Sequence, residues 1–241
     1  MKKILSMLLV LCMALTLCSA AFAEGKSPVD GMTVAFIPKV SGNSFFEAAN
    51  DGAQKYAADW GLTVDYIGAP TADVTTQLEL IQQAIDKGVD AICISSVDAT
   101  GMDEKLQEAQ DAGIYVSTWD SDVSPNARAL MVSQGTADVL GPMLVDMAVE
   151  SLKERGVDVN GEVKYVWHFS NPSVSDQNSW YVAGDKYIKE KYPSWVAVHD
   201  PYYSNQDPAQ SVSVGESILD AYADVDVIIC NDSTALPGQC K

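Results

Sequence analysis

Four short segments of the 241-residue sequence gather the side chains best suited to recognise a ligand. Lys39 follows a proline in PKVSGNSFF (38–46), and Trp119-Asp120-Ser121-Asp122 follows the apolar run IYVST. Asp176 and Gln177 lie in NPSVSDQNSW (171–180), and Asn231-Asp232-Ser233 follows DVIIC near the C-terminus. Carboxylates accept hydroxyl hydrogens through charge-assisted bonds, a lysine donates to ring or hydroxyl oxygens, and aromatic faces cover the apolar side of a sugar-like ring. Such a set suits a small, neutral, polyhydroxylated ligand. Lys39 and the pair Asp120/Asp122 stand out. A lysine directly after proline at a strand end is neither a helix cap nor a core residue. Two carboxylates two positions apart make a polyol acceptor pair, a cation site or a simple turn.

Each segment also has a plainer structural reading. Asn43 or Ser44, and Ser175 or Asp176, are suited to capping helices. Phe45, Phe46 and Trp119 are either stacking faces for a ligand or packed core aromatics. Enzymatic motifs are missing: the chain has no GxSxG, GxxxxGK[ST], GxGxxG or HExxH. His168 and His199 stand alone and read as packed or surface residues. Neither CxxC nor a Cys/His cluster occurs, so no metal or cofactor is expected. Asp120 with Asp176 as a glycosidase-like carboxylate pair is a minor alternative, that of a secreted carbohydrate-active enzyme.

Positioning these segments requires a regular framework, and the hydrophobic pattern supplies one. Strands are expected at 33–37, 62–67, 90–94, 114–118, 162–169, 195–200 and 226–230. Amphipathic helices are expected near 43–59, 75–87, 101–112, 137–155, 176–191 and 208–223; Leu78, Ile81, Ala84 and Ile85 share one helical face. Residues 119–135 read as irregular. Strands separated by helices of this length imply right-handed βαβ units and parallel sheets. The fold class is therefore α/β, with two doubly wound parallel-sheet lobes, the second incomplete. Residues 24–131 form the first lobe and 132–241 the second. The candidate segments all follow strands, where open parallel sheets bind ligands.

Lys2-Lys3, an apolar run from Ile4 to Leu17 and Ala21-Phe22-Ala23 make residues 1–23 a secretory signal. Lipidation at Cys18 would need small residues before the cysteine, and Leu17 stands there instead. The protein is thus expected to be exported, to a periplasm or cell envelope. Its 33 acidic and 15 basic residues give a net charge of −18, which argues against nucleic acid and anionic lipid as partners. A composition 47% hydrophobic and 20% charged excludes wholesale disorder.

The segments AFIPKVSGNSFFEAANDGAQ, STWDSDVSP, SQGT, MLVDMA, NPSVSDQNSW and ILDAYADVDVII resemble the autoinducer-2-binding proteins, a branch of the type I periplasmic binding proteins that serve sugar ABC transporters. The resemblance runs from about residue 31 to 239. Rhamnose-binding relatives share PK…GN.FF and a Trp-Asp pair, so a rhamnose or pentose receptor is the alternative. The resemblance implies an interlobe cleft that closes on the cyclic, hydrated furanosyl signal molecule, and an ABC permease as partner, without catalysis. The family's lysine falls on Lys39, its aspartate after the fourth strand on Asp120, and its Asp-Gln pair on Asp176 and Gln177. Contacts made by the loop after the last strand fall on Asn231 and Ser233, where NDSTALP departs from the family's PDANALP. Asp122, Trp119, Phe45 and Phe46 are candidates for stacking or for supporting these groups. Such proteins run on to complete the second lobe, so the chain reads as C-terminally truncated.

Overall fold

The alternation of β-branched runs and amphipathic segments produces two parallel sheets in the computed structural model, which describes residues 27–240. The first sheet holds β1 (Thr33–Ile37), β2 (Thr63–Tyr66), β3 (Ala91–Ile94), β4 (Tyr115–Trp119) and β5 (Leu130–Val132), in the order β2-β1-β3-β4-β5. All its pairings are parallel, with Val34 opposite Ala91 and Ala91 opposite Tyr115. Parallel neighbours need crossovers, which α1 (Ser44–Trp60), α2 (Val74–Lys87) and α3 (Asp103–Asp111) provide. Successive strand side chains point to opposite faces. Ala35, Ile37, Ile92 and Ile94 accordingly pack with Ile81, Met102 and Leu106, while Phe36 packs with Val40, Phe46 and Trp119. Asn43 and Asp73 cap α1 and α2, accepting from the amides of Phe45 and Thr76 at 3.0 and 2.9 Å.

The second sheet is built around β6 (Lys164–Phe169). Tyr165 pairs with both Ala197 and Val227, and His168 with both Tyr202 and Cys230. β9 (Val227–Cys230) therefore lies on one side of β6, and β7 (Val196–Ala197) and β8 (Tyr202–Tyr203) share the other. Helices α4 (Ala137–Glu154) and α5 (Ser175–Lys191) cover one face, where Val145, Val149 and Leu152 meet Tyr165, Trp167, Ile188 and Ile229. α6 (Pro208–Ala221) precedes β9, and the short α7 (Ala235–Gln239) follows it. His168 is buried, its Nδ1 accepting from Gln239 Nε2 at 2.9 Å, and burial holds its pKa down at about 4. It is a packed histidine, as its place inside a strand suggests.

Two expectations are corrected. The stretch 119–135 is not wholly irregular, because Leu130–Val132 forms the edge strand β5 against Ser117–Trp119. Three largely exposed residues carry no readable alternation. Of the strand expected at 195–200 only Val196–Ala197 forms, as β7; β8 lies beyond that span, after Pro201, which has no N–H to give a ladder. The expected export signal, residues 1–23, lies outside the described residues. Among the described residues, no helix is long and apolar enough to cross a membrane.

The close crossing of α4 and α5 sets where the start of α5 lies. A Cβ on Gly141 would sit 2.6 Å from the Gly184 nitrogen and 2.7 Å from the Trp180 carbonyl oxygen. Gly52, within α1, has nothing within 4 Å of such a Cβ. Gly141→Ala is expected to destabilise the protein by about 1–3 kcal/mol through overpacking against backbone. Gly52→Ala should stabilise it by about 0.5–1 kcal/mol through helix propensity. Urea unfolding of both variants checks the pair; equal effects would remove the packing argument.

Candidate functional site

The chain turns at the carboxyl ends of β1, β4, β6 and β9 bring the polar segments to one cavity of about 280 Å³ between the two sheets. Its lining includes Lys39, Asp120, Asp176, Gln177, Asn231 and Ser233, together with the rings of Phe45, Phe46 and Trp180. Lys39, two residues beyond β1, is buried, and its Nζ lies 3.0 Å from Asp120 Oδ2 and 3.4 Å from Asp176 Oδ1. Ser121 stands between them, accepting from Lys39 and donating to Asp176. Lys39 and Asp120 belong to the first sheet's strand ends and Asp176 to the first turn of α5. The Lys39–Asp176 ion pair therefore ties the two lobes together, while Lys39–Asp120 lies within the first.

Burial alone lowers the Lys39 pKa, but the attraction of Asp176 and then Asp120 outweighs it, so the pKa is raised and the ammonium persists. For Asp176 burial dominates. It pushes the carboxyl above the ordinary aspartate value, against the pull of Lys39 and with the help of the Asp120 charge. Asp120 adopts φ 61, in the left-handed region that aspartate tolerates better than most residues. Its Oδ2 also accepts from Ser95 Oγ at 2.7 Å, and its Oδ1 accepts from Gln134.

The Asp-Gln pair and the NDS loop meet at the other lobe's strand ends. Gln177 Oε1 accepts from the Ser170 amide at 3.0 Å, and its Nε2 donates to Asp232 at 2.8 Å. Asn231 Nδ2 donates to the Gln177 carbonyl oxygen at 2.7 Å. Across the mouth, Asn43 Nδ2 donates to Ser233 Oγ at 3.1 Å, so the α1 cap also links the lobes.

Some candidates take other roles. Asp122 does not pair with Asp120 at the cavity. It is held by Arg128, at 3.0 and 2.7 Å, and by Thr118 at 2.5 Å. Its partial burial favours a higher pKa, yet the Arg128 hydrogen bond and charge keep it below the ordinary value. Trp119 does not line the cavity but stacks on Phe36 at 4.7 Å and meets Phe46 edge-on at 5.7 Å, backing the aromatic wall. Neither Ser175 nor Asp176 caps α5, because Val174 occupies that position; Ser175 Oγ instead accepts from the Asp122 amide at 3.0 Å. Sequence reasoning missed Ser121, Gln134, Trp180, Gln206 and Asp232. The motifs TWDSD, SQGT and NDST contain three of them, but nothing local marks Gln206.

The raised pKa of Asp176 has a stability consequence. A carboxyl whose folded-state pKa lies above its unfolded value favours the fold when protonated, and that contribution is lost as pH rises through the folded pKa. Asp176→Asn mimics the neutral form and leaves Lys39 paired with Asp120. The variant is expected to melt higher than the parent at neutral pH, with the advantage vanishing below the ordinary aspartate range. Thermal melts across pH check this, and a variant less stable at neutral pH would refute it.

Comparison with known proteins agrees with this architecture. Residues 34–241 match the model of the periplasmic binding protein domain. The structure of LsrB from Clostridium saccharobutylicum in complex with AI-2 is 59% identical, with a TM-score of 0.85 over 86% of this chain and 64% of that one. A solute-binding protein from Clostridium phytofermentas with bound L-rhamnose shares the fold at 23% identity, with a TM-score of 0.79 over 86% of this chain and 63% of the other. The D-ribose/D-allose-binding protein of Pseudomonas aeruginosa is 27% identical over 52% of this chain and 41% of its own length. The chain thus spans less than two thirds of each of these relatives. With two parallel sheets, strand-end segments converging between them and a family match over nearly all the described residues, the chain belongs to the periplasmic binding proteins, with the type I α/β architecture.

Proposed function

We propose that this chain is the ligand-trapping part of an exported solute receptor for autoinducer-2. Its two lobes divide near Val132, and the closed form presents the ligand to an ABC permease. The observation that carries the reading is the buried Lys39–Asp120–Asp176 cluster joining the two lobes in the cavity, in a chain 59% identical to a protein solved with AI-2. In the cyclic hydrated ligand, hydroxyl hydrogens go to Asp120 and Asp176, and a ring or hydroxyl oxygen accepts from Lys39. Gln177 keeps one amide N–H beyond the one given to Asp232, and Asn231 and Ser233 bound the cavity from the last loop. Phe45, Phe46 and Trp180 cover the apolar face. Hinge closure on the ligand gives the permease a ligand-dependent shape. The site binds without turnover.

Calorimetry of the full chain against autoinducer-2, L-rhamnose, ribose and xylose tests the reading. Binding of autoinducer-2 with little or no response to the stable sugars is expected. Binding of a stable sugar alone would replace the signal molecule with a rhamnose- or pentose-type ligand. Turnover of a glycoside, abolished by Asp120→Asn, would replace the receptor with an enzyme.

Within the receptor reading, Lys39→Ala and Asp120→Ala each remove one partner of a buried charge pair and should each cost about 2–5 kcal/mol of binding. Unchanged affinity in either variant would remove that residue from the site.

A further inference from the structure

Asp232 is a buried carboxylate at which four donors converge. Its Oδ2 accepts from Gln177 Nε2 at 2.8 Å and from Gln206 Nε2 at 3.3 Å. Its Oδ1 accepts from the amides of Thr234 and Ala235 at 2.9 and 2.7 Å. Both of its oxygens are acceptors here, one shared by two backbone amides, and the amide nitrogens of both glutamines face the other. The opposite ends of the two side chains are thereby fixed as oxygens. In Gln177 that oxygen is already used by the Ser170 amide. In Gln206 it is not: the residue is 4% exposed and lines the cavity, yet its Oε1 has no hydrogen-bond partner.

The backbone beneath Gln206 carries a second signal. Asn205 and Gln206 have φ of 51 and 57, consecutive left-handed residues with side chains where glycine would be easier. Hydrogen bonds from the Asn205 amide to the Ser170 carbonyl oxygen at 2.9 Å and from the Asp207 amide to that of Ser204 at 2.8 Å hold the turn. An unfavourable backbone that delivers a buried, unpaired acceptor to a binding cavity is a combination concentrated at functional sites. Asn231 Oδ1, in the same lining, also lacks a partner. This wall of the second lobe offers acceptors and calls for donors.

We infer that Gln206 is a specificity-determining contact whose Oε1 accepts a hydrogen bond from one hydroxyl of the bound polyol, with Asp232 as the positioning residue that fixes the amide's orientation. The inference rests on the receptor reading above and adds a ligand contact to it. A ligand presenting a carbonyl or carboxylate at this point would face oxygen against oxygen. A hydroxyl is accepted, and an analogue lacking that hydroxyl leaves the acceptor unpaired.

The test is calorimetry of the full chain with autoinducer-2, and with L-rhamnose and ribose in parallel, on the parent, Gln206→Leu and Gln206→Glu. Gln206→Leu removes the acceptor and should weaken binding about 10- to 100-fold. Gln206→Glu places a carboxyl against Asp232, which raises its pKa through like charge. While protonated, that carboxyl donates to Asp232 and keeps a carbonyl oxygen for the ligand. Its affinity should therefore match the parent's at about pH 5 and fall toward about pH 8 by more than the parent's own change. Unchanged affinity in Gln206→Leu overturns the contact. Equal losses in both variants at every pH overturn it too, because they reduce Gln206 to a structural residue. A parent that binds none of the three ligands overturns the receptor reading, and this inference with it.

Discussion

A buried ammonium flanked by carboxylates from two lobes organises this molecule. Removing the charge of Lys39 from water is costly, and only close partners offset that cost. Asp120 comes from the end of β4 and Asp176 from the start of α5, so neither lobe alone provides the full set. Lys39 is thus already paired with Asp120 inside the first lobe, and bringing the lobes together adds Asp176 as its second carboxylate. The counts at the site are uneven: Asp120, Asp176 and Asp232 surround a single lysine. The excess of acceptors favours ligands rich in hydroxyl donors and opposes anionic ones. The environment that pushes the Asp176 pKa up is the same one that makes its carboxylate avid for a hydroxyl.

Sheet order converts this constraint into geometry. In β2-β1-β3-β4-β5, strands β1 and β4 flank β3, so Lys39 and Asp120 emerge one strand apart from the middle of the sheet. Ser95, directly after β3, fills the gap between them and donates to Asp120. In the second sheet β9 lies beside β6, which places Asn231 and Asp232 against Gln177. Side chains of the loop after β9 reach the cavity because a parallel ladder sets their strand next to the one that leads into α5.

Much of this was legible in the sequence. Periodicity located the helices, and β-branched runs located the longer strands, because both signals arise from burial on regular faces. Lys39, Asp120, Asp176 and Gln177 were recognisable because parallel strands must deliver their trailing residues to one rim. The failures have local causes. Asp120 and Asp122, two carboxylates two apart in a loop, look like an acceptor pair. Asp120 takes a left-handed backbone, and Asp122 turns to Arg128 instead. Trp119 reads equally well as a ligand face or a packed ring; only its stacking on Phe36 settles the matter. Gln206 lies in a loop whose two left-handed residues have no glycine to announce them.

Stability and binding pull against each other at α5. Its first turn carries Asp176, a group whose charge the folded state disfavours, while its middle is seated by the Gly141–Gly184 approach, which admits no side chain. Close packing of this kind tolerates little adjustment, so the helix cannot rotate to return Asp176 to solvent. The interior contact therefore holds an unfavourable carboxylate where it faces Lys39. The same division of labour holds for the last loop. Amides at the start of α7 and the glutamines at the cavity share the oxygens of Asp232, and a helix start thus becomes the fixed point from which two cavity-lining amides are oriented. In both cases the residues that touch the cavity are mobile side chains by nature. Backbone packing one layer behind them removes that freedom, and preorganisation of this kind is the physical basis on which a small site can discriminate among hydroxyl patterns.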